Sequence, residues 1–198
     1  MSLTKPQQAG LFLVLVLVMA GTRINHFSAL PDASWTLFFV AGFYLRNGVR
    51  WAFPALLAFG VLIDFLVITS QGLNFWAHYC VSPAYWFLLP AYAAMWMGGA
   101  VLRARASGMG LPALGWLALT YLLAFNISFL ISNGSFYWLS PVVAAPSFGG
   151  WLVNLTDWYL PYLRSAAVYA CVAIAAHVIG VRWLRLLHDQ RQLSGQRG

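Results

Sequence analysis

The chain has 198 residues, of which 62% are hydrophobic and 8% charged, and its formal net charge is +7. Soluble domains carry roughly a quarter charged residues, so a water-soluble protein is excluded and one membrane-embedded domain spanning 1–198 is expected. The positive surplus does not point to nucleic acid. Apart from Arg23 and Arg164, the basic residues flank apolar stretches, where the anionic headgroups of a lipid bilayer account for them.

In chain order, six segments come close to or reach the about 20 apolar residues that a spanning helix needs: residues 8–24, 33–45, 51–70, 83–102, 111–132 and 160–187. The first lacks an A-x-A-like cleavage site and reads as a retained helix. The second is short. Together they predict an all-α integral membrane protein, a compact bundle of six transmembrane helices. Lys5, the pair Arg46 and Arg50, the pair Arg103 and Arg105, and the group Arg182, Arg185, Arg191 and Arg197 mark alternate connections. Basic residues near helix ends resist translocation, which places both termini in the cytoplasm and leaves 25–32, 71–82 and 133–159 as external loops.

The third external loop is expected to be long and rich in aromatic residues, among them Phe136, Trp138, Trp151, Trp158 and Tyr159. Such a loop is either a functional lid or an aromatic belt at headgroup level. Polar residues gather on the same side: Asn25, His26, Asp32, Asp64, Asn74, His78, Asn133, Asn154, Asp157, Arg23 and Arg164. Hydrogen-bonding groups roofed by aromatics on one side of an apolar bundle suit a pocket for a large amphipathic ligand. Asp64 lies about 9 Å and Arg164 about 6 Å inside the outer boundary, counting helical rise. Intramembrane charges are paired or functional, so these two are expected to bond each other or to contact a ligand.

The two cysteines, Cys80 and Cys171, read as separate thiols. Cys171 lies well inside the last span and suits an apolar filler, and His177 suits a hydrogen-bonded interior histidine. Cys80 precedes Pro83, a good first-turn residue. A helix dipole and His78 nearby would favour its thiolate, a soft metal ligand. The N-x-S/T triplets at Asn126, Asn133 and Asn154 carry little meaning, since Asn126 falls inside a span.

Six compact spans in a chain of this length, with external loops over a polar pocket, resemble the substrate-binding S-components of energy-coupling-factor (ECF) vitamin transporters. More narrowly, Trp76-Ala77-His78-Tyr79-Cys80, followed by Ser82-Pro83-Ala84-Tyr85-Trp86, looks like the BtuM-type vitamin B12 transporters of Gram-negative bacteria. The resemblance implies uptake of cobalamin across the bacterial inner membrane. It places Cys80 as the axial ligand to cobalt, with Tyr85 and Asp64 as further contacts. His78, Arg164, Trp151, Asn154 and Tyr159 are expected around the corrinoid. A thiolate on cobalt would compete with cyanide, implying decyanation of cyanocobalamin. S-components that share an energising module carry A-x-x-x-A on their first helix; here residues 10–20 lack that spacing, which favours action without the module. Two alternatives remain at this stage, transport of a different vitamin and a haem-binding membrane cytochrome. Serine-based intramembrane proteolysis lacks a G-x-S-G run, and thiol exchange lacks C-x-x-C.

Overall fold

The computed structural model describes residues 3–24, 32–106, 108 and 110–195, with side chains up to residue 183 and at 186. Among the described residues are six α-helices: α1 (Lys5–Ile24), α2 (Ser34–Leu45), α3 (Val49–Ser70), α4 (Leu88–Arg105), α5 (Leu111–Leu139) and α6 (Phe148–Gly195). Short 3-10 turns occupy Arg46–Gly48, Phe75–Ala77 and Pro83–Phe87, and no strand occurs among the described residues. Five helical stretches are long and apolar enough to cross a membrane: Lys5–Ile24, Ser34–Ser70, Pro83–Arg105, Leu111–Leu139 and Phe148–Trp183. The expected second and third spans form one stretch because α2 passes through the turn Arg46–Gly48 directly into α3. Alone, its 12 residues reach about 18 Å, short of the about 30 Å of a bilayer core.

The chain divides into two compact units, Met1–Ala166 and Ala167–Gly198. In the first, α2 packs closely on α4. A Cβ on Gly42 would overlap the Trp96 carbonyl, and one on Gly99 the Phe39 carbonyl. Small residues at such crossings let helix backbones approach where lipid gives no hydrophobic drive to associate. Above and below the crossing the space is filled by rings: Phe38 stacks on Tyr92 at 4.3 Å, and Phe125 and Phe129 are fully buried. Hydroxyls cross-link the helices. Ser128 Oγ donates to the Ala91 carbonyl at 2.6 Å, and Tyr121 Oη to the Ala166 carbonyl at 2.8 Å.

The second unit continues α6. Val168, Val172, Ile179 and Trp183 are exposed along it, an apolar exterior suited to lipid. Cys171 is exposed as well, so it does not fill a core as expected; its position in an apolar run says nothing about which face of the helix it takes. His177 is partly buried.

The long external loop expected at 133–159 is not a loop. Helix α5 continues to Leu139 and α6 begins at Phe148, leaving only residues 140–147 between them. Asn133-Gly134-Ser135 reads locally as a helix breaker. In the fold Gly134 and Ser135 are buried, and the face of Trp151 lies 3.8 Å from where a Gly134 Cβ would stand, so packing overrides propensity. The start of α6 is capped by Ser147, whose Oγ accepts from the Gly150 N–H at 3.2 Å. Tyr137 Oη clamps the connection, donating to the Ser147 carbonyl at 3.1 Å and accepting from its N–H at 3.2 Å.

Candidate functional site

Within the first unit a cavity of about 470 Å³, open on one side, is lined by Arg23 of α1, Asp32 and Trp35, Asp64 of α3, the segment His78–Cys80, Tyr85, and Ser132, Asn133 and Asn154 of α5 and α6. Small-molecule sites run to about 300–1,000 Å³.

One wall is ionic. Arg23 Nε donates to Asp64 Oδ1 at 2.6 Å and its Nη2 to Asp64 Oδ2 at 2.8 Å, a two-pronged pair. Its Nη1 donates to Asp32 Oδ2 at 3.2 Å, Ser34 Oγ at 2.8 Å and Tyr92 Oη at 3.0 Å. Tyr85 Oη completes the set by donating to Asp64 Oδ2 at 2.6 Å. One cation therefore meets two carboxylates and two hydroxyls, and a third hydroxyl, from the turn Pro83–Phe87, reaches Asp64. Breaking a buried pair of this kind on one side costs about 3–5 kcal/mol.

This pairing corrects one of the two expectations for Asp64 and Arg164, that they bond each other. Matching depths by residue count treats the helices as upright and parallel. It also ignores the arginine stem, which carries its head along the helix surface to a partner at another level. Arg164 is exposed and outside the cavity lining.

The Cys80 segment is fixed by the residues leading to it. Gly72 ends α3 with φ 76°, the left-handed conformation common just past a helix C-terminus. Asn74 Oδ1 then caps the turn Phe75–Ala77 by accepting from the Trp76 N–H at 2.9 Å. Phe75 is only 4% exposed and packs edge-on to Phe65 and Tyr85, anchoring the loop at its middle. Cys80 follows, partly buried at the cavity wall.

The thiol is not tuned as the sequence suggested. Burial pushes its pKa above the ordinary value, the hydrogen bond with Tyr79 pulls it back, and the Asp64 charge adds to the rise. His78 Nδ1 accepts from the Cys80 backbone N–H at 3.3 Å, so that nitrogen is turned to the backbone. The helix expected at Pro83 starts as a 3-10 turn, and α4 begins only at Leu88, which weakens the dipole near sulfur. The neighbouring Tyr79 phenol is raised too, first through its bond with Cys80.

Of the residues expected around a ligand, Cys80, Tyr85, Asp64, His78 and Asn154 line the cavity, and Arg164, Trp151 and Tyr159 do not. Trp151 packs beside Trp138 and Phe148, and Tyr159 Oη donates to Asn126 Oδ1 at 3.1 Å. Asn25 and His26 lie outside the described residues. The sequence reading passed over Trp35, Ser132 and Tyr162 as lining residues. Their helices are apolar all round, and no periodicity there separates the cavity face from the lipid face. Comparison with protein-family models and with curated proteins finds no match.

Proposed function

We propose that the protein binds a corrinoid in this cavity and carries it across the bacterial inner membrane. Cobalamin is the expected cargo, and Cys80 is its cobalt ligand. The observation that carries the reading is the placement of the Cys80 thiol: partly buried, on an anchored loop just ahead of a span, facing a cavity of small-molecule size. A soft sulfur donor suits a low-spin cobalt centre already held in its macrocycle, so no other protein ligand is required. Aromatic faces in the lining, Trp35, Phe129, Trp158 and Tyr162, suit an apolar ring system. Cobalamin exceeds the cavity, so the corrin would seat inside and the remainder project through the open side.

Ligation would proceed by exchange. The Cys80 thiol loses its proton, the thiolate forms a sulfur–cobalt bond, and cyanide leaves with its electron pair; cobalt keeps its oxidation state. The thiol is held above its ordinary pKa, so at neutral pH it reacts from its protonated form: with cyanide as leaving group the proton departs as hydrogen cyanide, and with water as leaving group it is released to solvent.

The test is growth. A strain that requires external vitamin B12 and lacks its own inner-membrane uptake system is supplied with this chain, intact or as Cys80→Ala. Rescue by the intact chain alone supports transport and the site together. Absence of rescue by the intact chain, with the protein present in the membrane, contradicts the proposal.

A further inference from the structure

Two features of the cavity bear on which ligands it admits. The first is its charge. Of the groups facing it, Arg23 from α1 is cationic, Asp32 and Asp64 are carboxylates, and His78 and Cys80 come from the loop; the residues lining it from α4, α5 and α6 carry no charge. Every guanidinium nitrogen of Arg23 already donates within the protein. The cavity thus presents one surplus negative charge and an arginine whose bonds are committed. A ligand carboxylate placed here would meet like charge, which costs several kcal/mol when solvent is excluded.

The second feature is in the α5 part of the lining. Asn133 Oδ1 is buried in the α5 wall and, among the described residues, has no hydrogen-bond partner. A buried acceptor left unpaired is costly, and a ligand donor relieves it. Asn154 and Ser132 share the wall, so this side is built of neutral donors and acceptors. A primary carboxamide offers N–H donors and a carbonyl acceptor, whereas a carboxylate offers acceptors only.

We infer that the cavity selects a neutral, carboxamide-rimmed ligand against its carboxylate-bearing counterpart, with Asn133 reading the amide. The inference rests on the corrinoid reading above and names the form of corrinoid admitted. The Asp64–Arg23–Asp32 network excludes the acid, and Asn133 rewards the amide.

The test uses two corrinoids with the same ring, cobinamide, whose side chains are amidated, and cobyrinic acid, whose side chains are free carboxylic acids. Binding to the purified full chain is read by absorbance at neutral pH. Cobinamide is expected to bind at least roughly 100-fold more tightly, given the like-charge penalty. Asn133→Leu should weaken cobinamide about five- to ten-fold, the worth of one hydrogen bond, and leave cobyrinic acid unchanged. Its unliganded thermal midpoint should hold or rise, since a buried unpaired acceptor is removed. Equal binding of the two corrinoids by the intact protein overturns the inference while the corrinoid reading stands. A lowered midpoint in Asn133→Leu with an unchanged ratio assigns Asn133 to structure and overturns its role. Binding of neither corrinoid overturns the corrinoid reading and this inference with it.

Discussion

Arg23 and Asn133 both line the cavity, in opposite states. Arg23 spends its donors on Asp64, Asp32, Ser34 and Tyr92, and Asp64 accepts again from Tyr85. By contrast, Asn133 Oδ1 and the nearby Trp151 Nε1 are buried without partners among the described residues. A saturated network ties helices together and gains little from a ligand. An unsaturated wall contributes little to the fold and has bonding capacity left for something else. Polar residues that hold this protein together thus differ from those available to bind, although Arg23 and Asn133 face the same cavity.

The largest expected effect breaks the saturated side. Arg23→Leu leaves two carboxylates without their cation and should cost about 3–5 kcal/mol of stability, read as a lower thermal midpoint in detergent. Arg23→Met combined with Asp64→Leu should recover part of that loss, because apolar replacements remove the stranded charge along with the bond. If the single and double variants are equally unstable, the network is not what ties α1 to α3.

Tyr85→Phe comes next. It deletes one hydrogen bond to an ionised carboxylate, about 1.5–3 kcal/mol, while the Arg23 pair keeps Asp64 in place. A loss as great as that of Arg23→Leu would mean the phenol, and not the guanidinium, holds Asp64. The smallest effect belongs to the unsaturated side. The change Trp151→Phe removes an unpartnered N–H together with the ring atoms nearest Gly134, so stability should fall by no more than about 1 kcal/mol, the cost of the lost packing alone. A large loss there would reveal a partner for Trp151 Nε1 and erase the contrast between the walls.

Much of the architecture was readable from the sequence because apolar length is a strong signal. The long helices appear where the hydropathy put them, and Asp64 was marked as an intramembrane charge needing a partner. The identity of that partner was not readable. Arg23 stood out for lying among polar residues instead of in a basic cluster, but residue counting matched Asp64 with Arg164, since depth along a helix ignores tilt and side-chain reach. The α5–α6 connection failed for a different reason. Asn133, Gly134 and Pro146 are local breaking signals, whereas burial of Gly134 and Ser135 and the Tyr137–Ser147 clamp are tertiary facts. Cys80 lines the cavity, but its acidity is not the one its neighbours in sequence suggested. A neighbouring histidine in sequence suggested a base, but the fold turns His78 Nδ1 to the backbone and brings the Asp64 charge close enough to oppose the thiolate.

The central claim is that Cys80 holds the cobalt of a corrinoid. Its most direct test is titration of aquacobalamin, whose leaving group is neutral water, into the purified protein and into Cys80→Ala, followed by absorbance from pH 5 to pH 7. A thiol held above its ordinary pKa must lose a proton to ligate, so apparent affinity should rise about ten-fold per pH unit below that pKa. The ligand's absorption bands should shift on binding, and both behaviours should vanish in Cys80→Ala. A variant that reproduces the intact protein's spectral change, or an intact protein whose affinity is flat across that range, would contradict cobalt ligation by this thiol.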